Sequence, residues 1–132
     1  MPDHRSSLVL IAADDQAVRD ALAFALRLEG FGIRTQSDEA GLLADNGLGQ
    51  AACVILDDRK PHLDGFGVMR RLQARDLDVP VILLTSYVTG RIQARAAAAG
   101  FRAVLEKPLL NNILLDTLRT ILGGDGRPPG PE

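Results

Sequence analysis

The stretch CVILDDRKPHLDG occupies residues 53–65: four apolar residues, two adjacent carboxylates, then a turn marked by Pro61 and Gly65. A run of Cys, Val, Ile and Leu has no polar side to offer water, so it reads as a strand covered on both faces of a sheet. One carboxylate at its end would be ordinary turn chemistry. Two of them, Asp57 and Asp58, repeat a pair that closes an earlier apolar run, Asp14 and Asp15 in LVLIAADD at residues 8–15. Two strands ending alike call for one explanation.

Working outward, five short apolar runs alternate with five stretches of helical period. The runs are LVLIAA (8–13), FGIRTQ (31–36), ACVILD (52–57), PVILLT (80–85) and RAVLEK (102–107). The first, third and fourth are nearly continuous Val, Ile and Leu, as central strands of a parallel sheet require; the second and fifth mix in polar residues and suit its edges. Between them, Val18, Leu22, Ala25 and Leu26 define the apolar face of a first helix that Gly30 stops. A short second helix is predicted over about 38–45, breaking at NGLG. A third over about 66–75 buries Val68, Met69 and Leu72; an alanine-rich fourth ends at Gly100; a fifth carries Ile113, Leu114, Leu118, Ile121 and Leu122. Strict βα alternation implies parallel strands, right-handed crossovers and helices on both faces. Five units fit the flavodoxin-like doubly wound α/β fold, (βα)5, with a parallel five-stranded sheet of order 2-1-3-4-5. One domain is expected over residues 1–122, with GGDGRPPGPE (123–132) as a disordered tail or linker start.

Composition narrows the classes. A chain of 132 residues, 46% hydrophobic and 24% charged with a net charge of −2, is the size and balance of one soluble domain. No apolar run approaches the roughly 18 residues of a membrane span. MPDHRSS lacks the charged-then-apolar pattern of a leader, so no membrane partner and a cytoplasmic location are expected. Cys53 is the only cysteine and excludes a disulfide framework; within an apolar strand it reads as a buried, inert thiol. Thirteen scattered arginines and 4% aromatics offer no electrostatic footprint for a nucleic acid. The only lysines are Lys60 and Lys107.

In open sheets of this kind, ligands sit beyond the carboxyl ends of the strands. Collected there are Asp14 and Asp15, Asp57 and Asp58, Thr85 and Ser86, and Lys107 followed by Pro108. Clustered carboxylates repel unless a cation neutralises them, and a hard, oxygen-seeking ion such as Mg²⁺ is the natural occupant. A hydroxyl and an ammonium beside them suit a phosphoryl group.

The set DD after the first strand, D-D-R-K-P-x-x-D-G after the third, T-S after the fourth and E-K-P after the fifth resembles the response-regulator receiver domain, over residues 8 to about 122. The resemblance implies that Asp57 accepts a phosphoryl group and that Thr85 and Lys107 contact its oxygens. It implies Mg²⁺ held by Asp14, Asp57 and the backbone carbonyl of Arg59, with Asp15 as a further candidate. Pro61 and Gly65 would shape the loop. Asp58, on the other side of the pleat, would be a helix-facing or loop carboxylate. The implied partner is a sensor histidine kinase or phosphotransfer protein, with a homodimer through the face of the fourth helix, fifth strand and fifth helix as a further expectation. The chain would catalyse only its own phosphorylation and dephosphorylation, so no enzyme acting on an external metabolite is expected.

Two positions depart from the family pattern. Anchoring on Val18 puts the family's acid pair at positions 13 and 14, where this chain has Ala13 and Asp14, with Asp15 one step late. Three residues before Lys107, where the family often has an aromatic ring that moves on activation, stands Val104. These departures leave open a degenerate receiver that binds a partner without phosphorylation. A phosphoaspartyl hydrolase is disfavoured, because position 59 is Arg where that class places a second acid. GLGQAA (47–52) resembles a dinucleotide motif but opens a strand and reads as a loop, and His62 reads as an exposed loop residue.

Overall fold

The structure, a computed structural model, describes residues 8–123. Five parallel strands, β1 (Leu8–Ala12), β2 (Gly32–Gln36), β3 (Cys53–Asp57), β4 (Val81–Thr85) and β5 (Ala103–Glu106), form one sheet in the order β2-β1-β3-β4-β5. Helices α1 (Gln16–Leu28), α2 (Glu39–Leu43), α3 (Gly65–Ala74), α4 (Gly90–Ala99) and α5 (Ile113–Leu122) make the crossovers. The expected doubly wound fold is therefore the observed one. The tail expected at 123–132 lies outside the described residues except for Gly123.

The continuous apolar runs are explained by two cores. Along β1 and β3, Leu10, Ala12, Val54 and Leu56 face one way, against Val68, Met69 and Leu72 of α3 and Ala96 of α4. Val9, Ile11, Cys53 and Ile55 face the other, against Ala23 and Leu26 of α1 and Leu114 and Leu118 of α5. Period-2 alternation thus feeds both layers, and each fully buried Leu or Ile contributes about 1.5–3 kcal/mol relative to exposure. Cys53 is fully buried, and desolvation pushes its thiol up to about 12, which makes it inert at neutral pH.

Three details correct the sequence reading. On α1, Ala23 meets the sheet beside Leu26, whereas Ala25 is exposed: the buried stripe runs through Leu22, Ala23 and Leu26, on the side of the helix away from Ala25. On α5, Ile113 is exposed and Leu114 and Leu118 carry the contact. Helix α2 is shorter than expected. Asp38 caps its start by accepting from the Gly41 N–H at 2.7 Å, but Asp45 is withdrawn from helix formation.

Asp45 is one of two buried charged residues among those described. Its oxygens accept from the Gly47 N–H (2.7 Å) and the Gln36 amide (2.8 Å) and pair with Arg34 (2.8 Å), tying the α2–β3 connection, including the 3-10 turn Leu48–Gln50, to edge strand β2. Burial pushes this carboxyl upward, but the Gly47 and Gln36 hydrogen bonds and the Arg34 charge outweigh it and hold the group below its ordinary value. Asp45→Asn is expected to lower stability by about 2 kcal/mol at neutral pH, the scale of hydrogen bonds to a charged group. A depressed carboxyl contributes fully above its unfolded-state value, about 4, and loses its contribution as pH falls through the folded-state value. The gap between wild type and variant in urea midpoint should therefore narrow below about pH 4.

Candidate functional site

The carboxyl ends of β1, β3, β4 and β5 share one rim. At its centre lies Asp57, 1% exposed, the last residue of a strand that is buried throughout. Its Oδ1 accepts from Nζ of Lys107 at 2.5 Å, and the same ammonium donates to the Asp58 carbonyl at 3.3 Å. The backbone places Lys107: its N–H donates to the Thr85 carbonyl (2.9 Å), extending the β4–β5 ladder one residue past Glu106. Thr85 itself is partly exposed at the end of β4, and Ser86 beyond it is exposed.

The two carboxylates of the opening motif do different work. Asp57 points to the rim. Asp58 turns away and its Oδ1 accepts from the Gly65 N–H at 2.8 Å, satisfying an otherwise free donor at the start of α3. The loop between them is closed by paired bonds of Arg59 and Leu63, each N–H donating to the other's carbonyl at 2.9 Å. Leu63, 1% exposed, anchors that loop in the α3 layer, a role the sequence reading had not assigned. A lone apolar residue inside RKPHLDG was the available signal. Gly65 is required by close approach, since a Cβ there would collide with the Leu83 side chain. His62 is exposed, as expected.

At the end of β1, Ala13 is fully buried, and its N–H donates to the Gln36 carbonyl (3.0 Å), so the strand ladder runs through it. Asp14 follows, with a buried Oδ1 that has no hydrogen-bond partner. Asp15 is the N-cap of α1, accepting from the Val18 N–H at 3.1 Å. That bond above all, with smaller contributions from the Ala17 N–H and Arg59, holds the Asp15 carboxyl below its ordinary value. Asp15 thus starts α1, while the preceding Asp14 keeps one buried oxygen without a hydrogen-bond partner. Nη1 of Arg59 lies 3.7 Å from Asp14 and 3.5 Å from Asp15, an arrangement invisible in the sequence. Val104 is partly buried against the α3/α4 core.

Among the described residues no three His, Cys, Asp or Glu side chains are grouped to hold a metal by themselves. Two carboxylates, Asp14 and Asp57, and the Arg59 carbonyl, which keeps a second lone pair beyond its bond to Leu63, are a donor set for a hard cation completed by water and phosphate oxygens. The unpartnered Asp14 oxygen is what such a cation would satisfy, so the residues present fit Mg²⁺.

A family model described as the response regulator receiver domain matches residues 9–119, and the chain belongs to that family. It is 34% identical over 125 residues to the C4-dicarboxylate transport transcriptional regulatory protein DctR of Rhodobacter capsulatus, covering 92% of this chain and 64% of that one. To DctD of Pseudomonas aeruginosa, described in the same words, it is 33% identical over 92% of this chain but 26% of the relative. The chain therefore spans only part of these regulators. Among solved structures it superposes on "FIXJ-N" with a TM-score of 0.78 at 24% identity, covering 94% of this chain and 97% of that one. It also matches the Vibrio cholerae chemotaxis protein CheY4 (TM-score 0.79, 23% identity, 88% and 98% coverage). At these identities the likeness is one of fold. No described helix is long and apolar enough to cross a membrane.

Asp58→Ala removes the acceptor that serves Gly65 and should cost about 1–2 kcal/mol, the usual worth of a helix cap. Thermal melts should show the loss, and amide hydrogen exchange should place the fraying in the first turn of α3.

Proposed function

We propose that this receiver domain takes a phosphoryl group onto Asp57, from a sensor histidine kinase or a phosphotransfer protein, and thereby changes its partner binding. The observation that carries the reading is Asp57 itself: a carboxylate 1% exposed, at the end of an apolar strand, with the Lys107 ammonium on one oxygen. A structural carboxylate is more cheaply placed in water. Holding one at the rim with a compact cation beside it suits transfer of a dianionic group.

In the transfer, the free Asp57 oxygen, Oδ2, bonds to phosphorus as the donor's P–N or P–O bond breaks, and the donor leaves with that bond's electron pair. Lys107 meets the charge on the phosphoryl oxygens, and Thr85 donates a hydrogen bond to one of them. Mg²⁺, bound by Asp14, Asp57 and the Arg59 carbonyl, would supply further positive charge against those oxygens. Asp14 orients the cleft from the β1 side, while Asp15 stays with the helix. The chain turns over no external metabolite on this reading; it carries out only its own phosphorylation and dephosphorylation. A cytoplasmic setting, where such kinases present their donor, and docking or dimerisation through the α4–β5–α5 face belong to the same proposal.

Incubation with acetyl phosphate and Mg²⁺, read by intact mass, tests it. The wild type should gain about 80 Da, the mass a phosphoryl group adds, Asp57→Asn should gain nothing, and Asp58→Asn should still be labelled. An unlabelled wild type would instead favour a degenerate receiver that binds without phosphorylation. Lys107→Arg should keep the fold yet lose most of the phosphorylation-dependent change in amide NMR shifts, because a guanidinium does not reproduce a compact ammonium at that point. Wild-type shift changes in that variant would remove Lys107 from the site.

A further inference from the structure

We infer that the Arg59 guanidinium is a built-in competitor of the divalent cation, neutralising the Asp14 side of the cleft until a metal displaces it. The inference rests on the phosphoacceptor reading and concerns what the side chain of Arg59 does there, as distinct from its carbonyl. Paired bonds with Leu63 fix the Arg59 backbone, so the side chain starts from a defined point and turns back over β1. Its Nη1 stands 3.7 Å from Asp14 Oδ1 and 3.5 Å from Asp15 Oδ2. Both distances are those of an ion pair without a hydrogen bond, and Asp14 Oδ1 remains buried and unpartnered. The guanidinium therefore lends charge without saturating the acceptor. Its side chain is 50% exposed, so it can swing into water at little cost when a better cation arrives.

The charge balance shows why this matters. Asp14 and Asp57 carry two negative charges, and Arg59 and Lys107, each paired with one of them, carry two positive charges. These four groups thus carry no net charge, and the one negative charge left over is that of Asp15, the half-exposed cap of α1 that shares the Arg59 guanidinium. Ala13, in a position where an acid would tip that balance, contributes none. Removing the Arg59 charge restores a net negative cleft while leaving the Arg59 carbonyl in place.

The test is a Mg²⁺ titration of the full chain, ¹⁵N-labelled and followed by the amide shifts around Asp57, for the wild type, Arg59→Gln, Arg59→Lys and Asp14→Asn. Arg59→Gln should bind Mg²⁺ about fivefold more tightly at low ionic strength, with the gain shrinking as added KCl screens the lost charge. Arg59→Lys, which keeps the charge, should stay within about twofold of wild type. Unchanged or weaker binding in Arg59→Gln, or equal tightening in Arg59→Lys, would overturn the inference. If Arg59→Gln is still labelled by acetyl phosphate in that event, the phosphoacceptor reading stands and only the competitor role falls. If no protein shows Mg²⁺ shifts that Asp14→Asn abolishes, the competitor role falls as well, and the phosphoacceptor reading falls with it only where the wild type is also left unlabelled by acetyl phosphate.

Discussion

Asp57 and Lys107 are fifty positions apart in the sequence and 2.5 Å apart in the fold, and the other features of the rim are arranged around that pair. Asp57 terminates β3, whose five residues are all buried, so its carboxylate is surrounded by protein on every side but the rim. A buried carboxylate is costly unless a cation and hydrogen bonds compensate it. Here the compensation comes from a lysine that β5 delivers, and β5 is two strands away, across β4. The pair can form only if the strands stack in the observed order and register. The chemistry of the cleft is in that sense a consequence of the sheet.

The loop after β3 shows how adjacent, identical residues acquire different work. The pleat sends Asp57 to the rim and Asp58 toward α3, where it accepts the Gly65 N–H. Gly65 in turn lies so close to Leu83 that a Cβ there would force the buried leucine side chain to shift. The Arg59–Leu63 pairing closes the loop between them. Capping, close approach and burial of Leu63 thus hold the backbone next to the phosphoacceptor candidate, and none of them involves the Asp57 carboxylate.

The departure at Ala13 has a structural counterpart on the facing loop. An acid is missing at the end of β1, Asp15 is taken up by the cap of α1, and Arg59 brings a positive charge to the acid that remains. The cleft is more nearly neutral than its two pairs of adjacent aspartates suggest. Val104 is packed into the α3/α4 layer as an ordinary aliphatic residue, so no ring at that position couples the cleft to the α4–β5 surface.

Much of this was legible in the chain alone. Continuous Val/Ile/Leu runs marked β1, β3 and β4 as central, polar admixture marked β2 and β5 as edges, and βα alternation then left little freedom in topology, so Asp14, Asp57, Thr85 and Lys107 could be placed on one rim. These are local signals of period and strand end, which side-chain order in the chain carries directly. What the tertiary structure decided were relations between side chains far apart or turned by less than one residue. Ala23 rather than Ala25 faces the sheet; Asp45 leaves α2 to bind Gly47, Gln36 and Arg34; Leu63 anchors a polar loop; and the Arg59 guanidinium reaches Asp14. The pattern of a sequence records which face a residue lies on, but a long flexible side chain chooses its partner only after the backbone has set which charges stand within its reach.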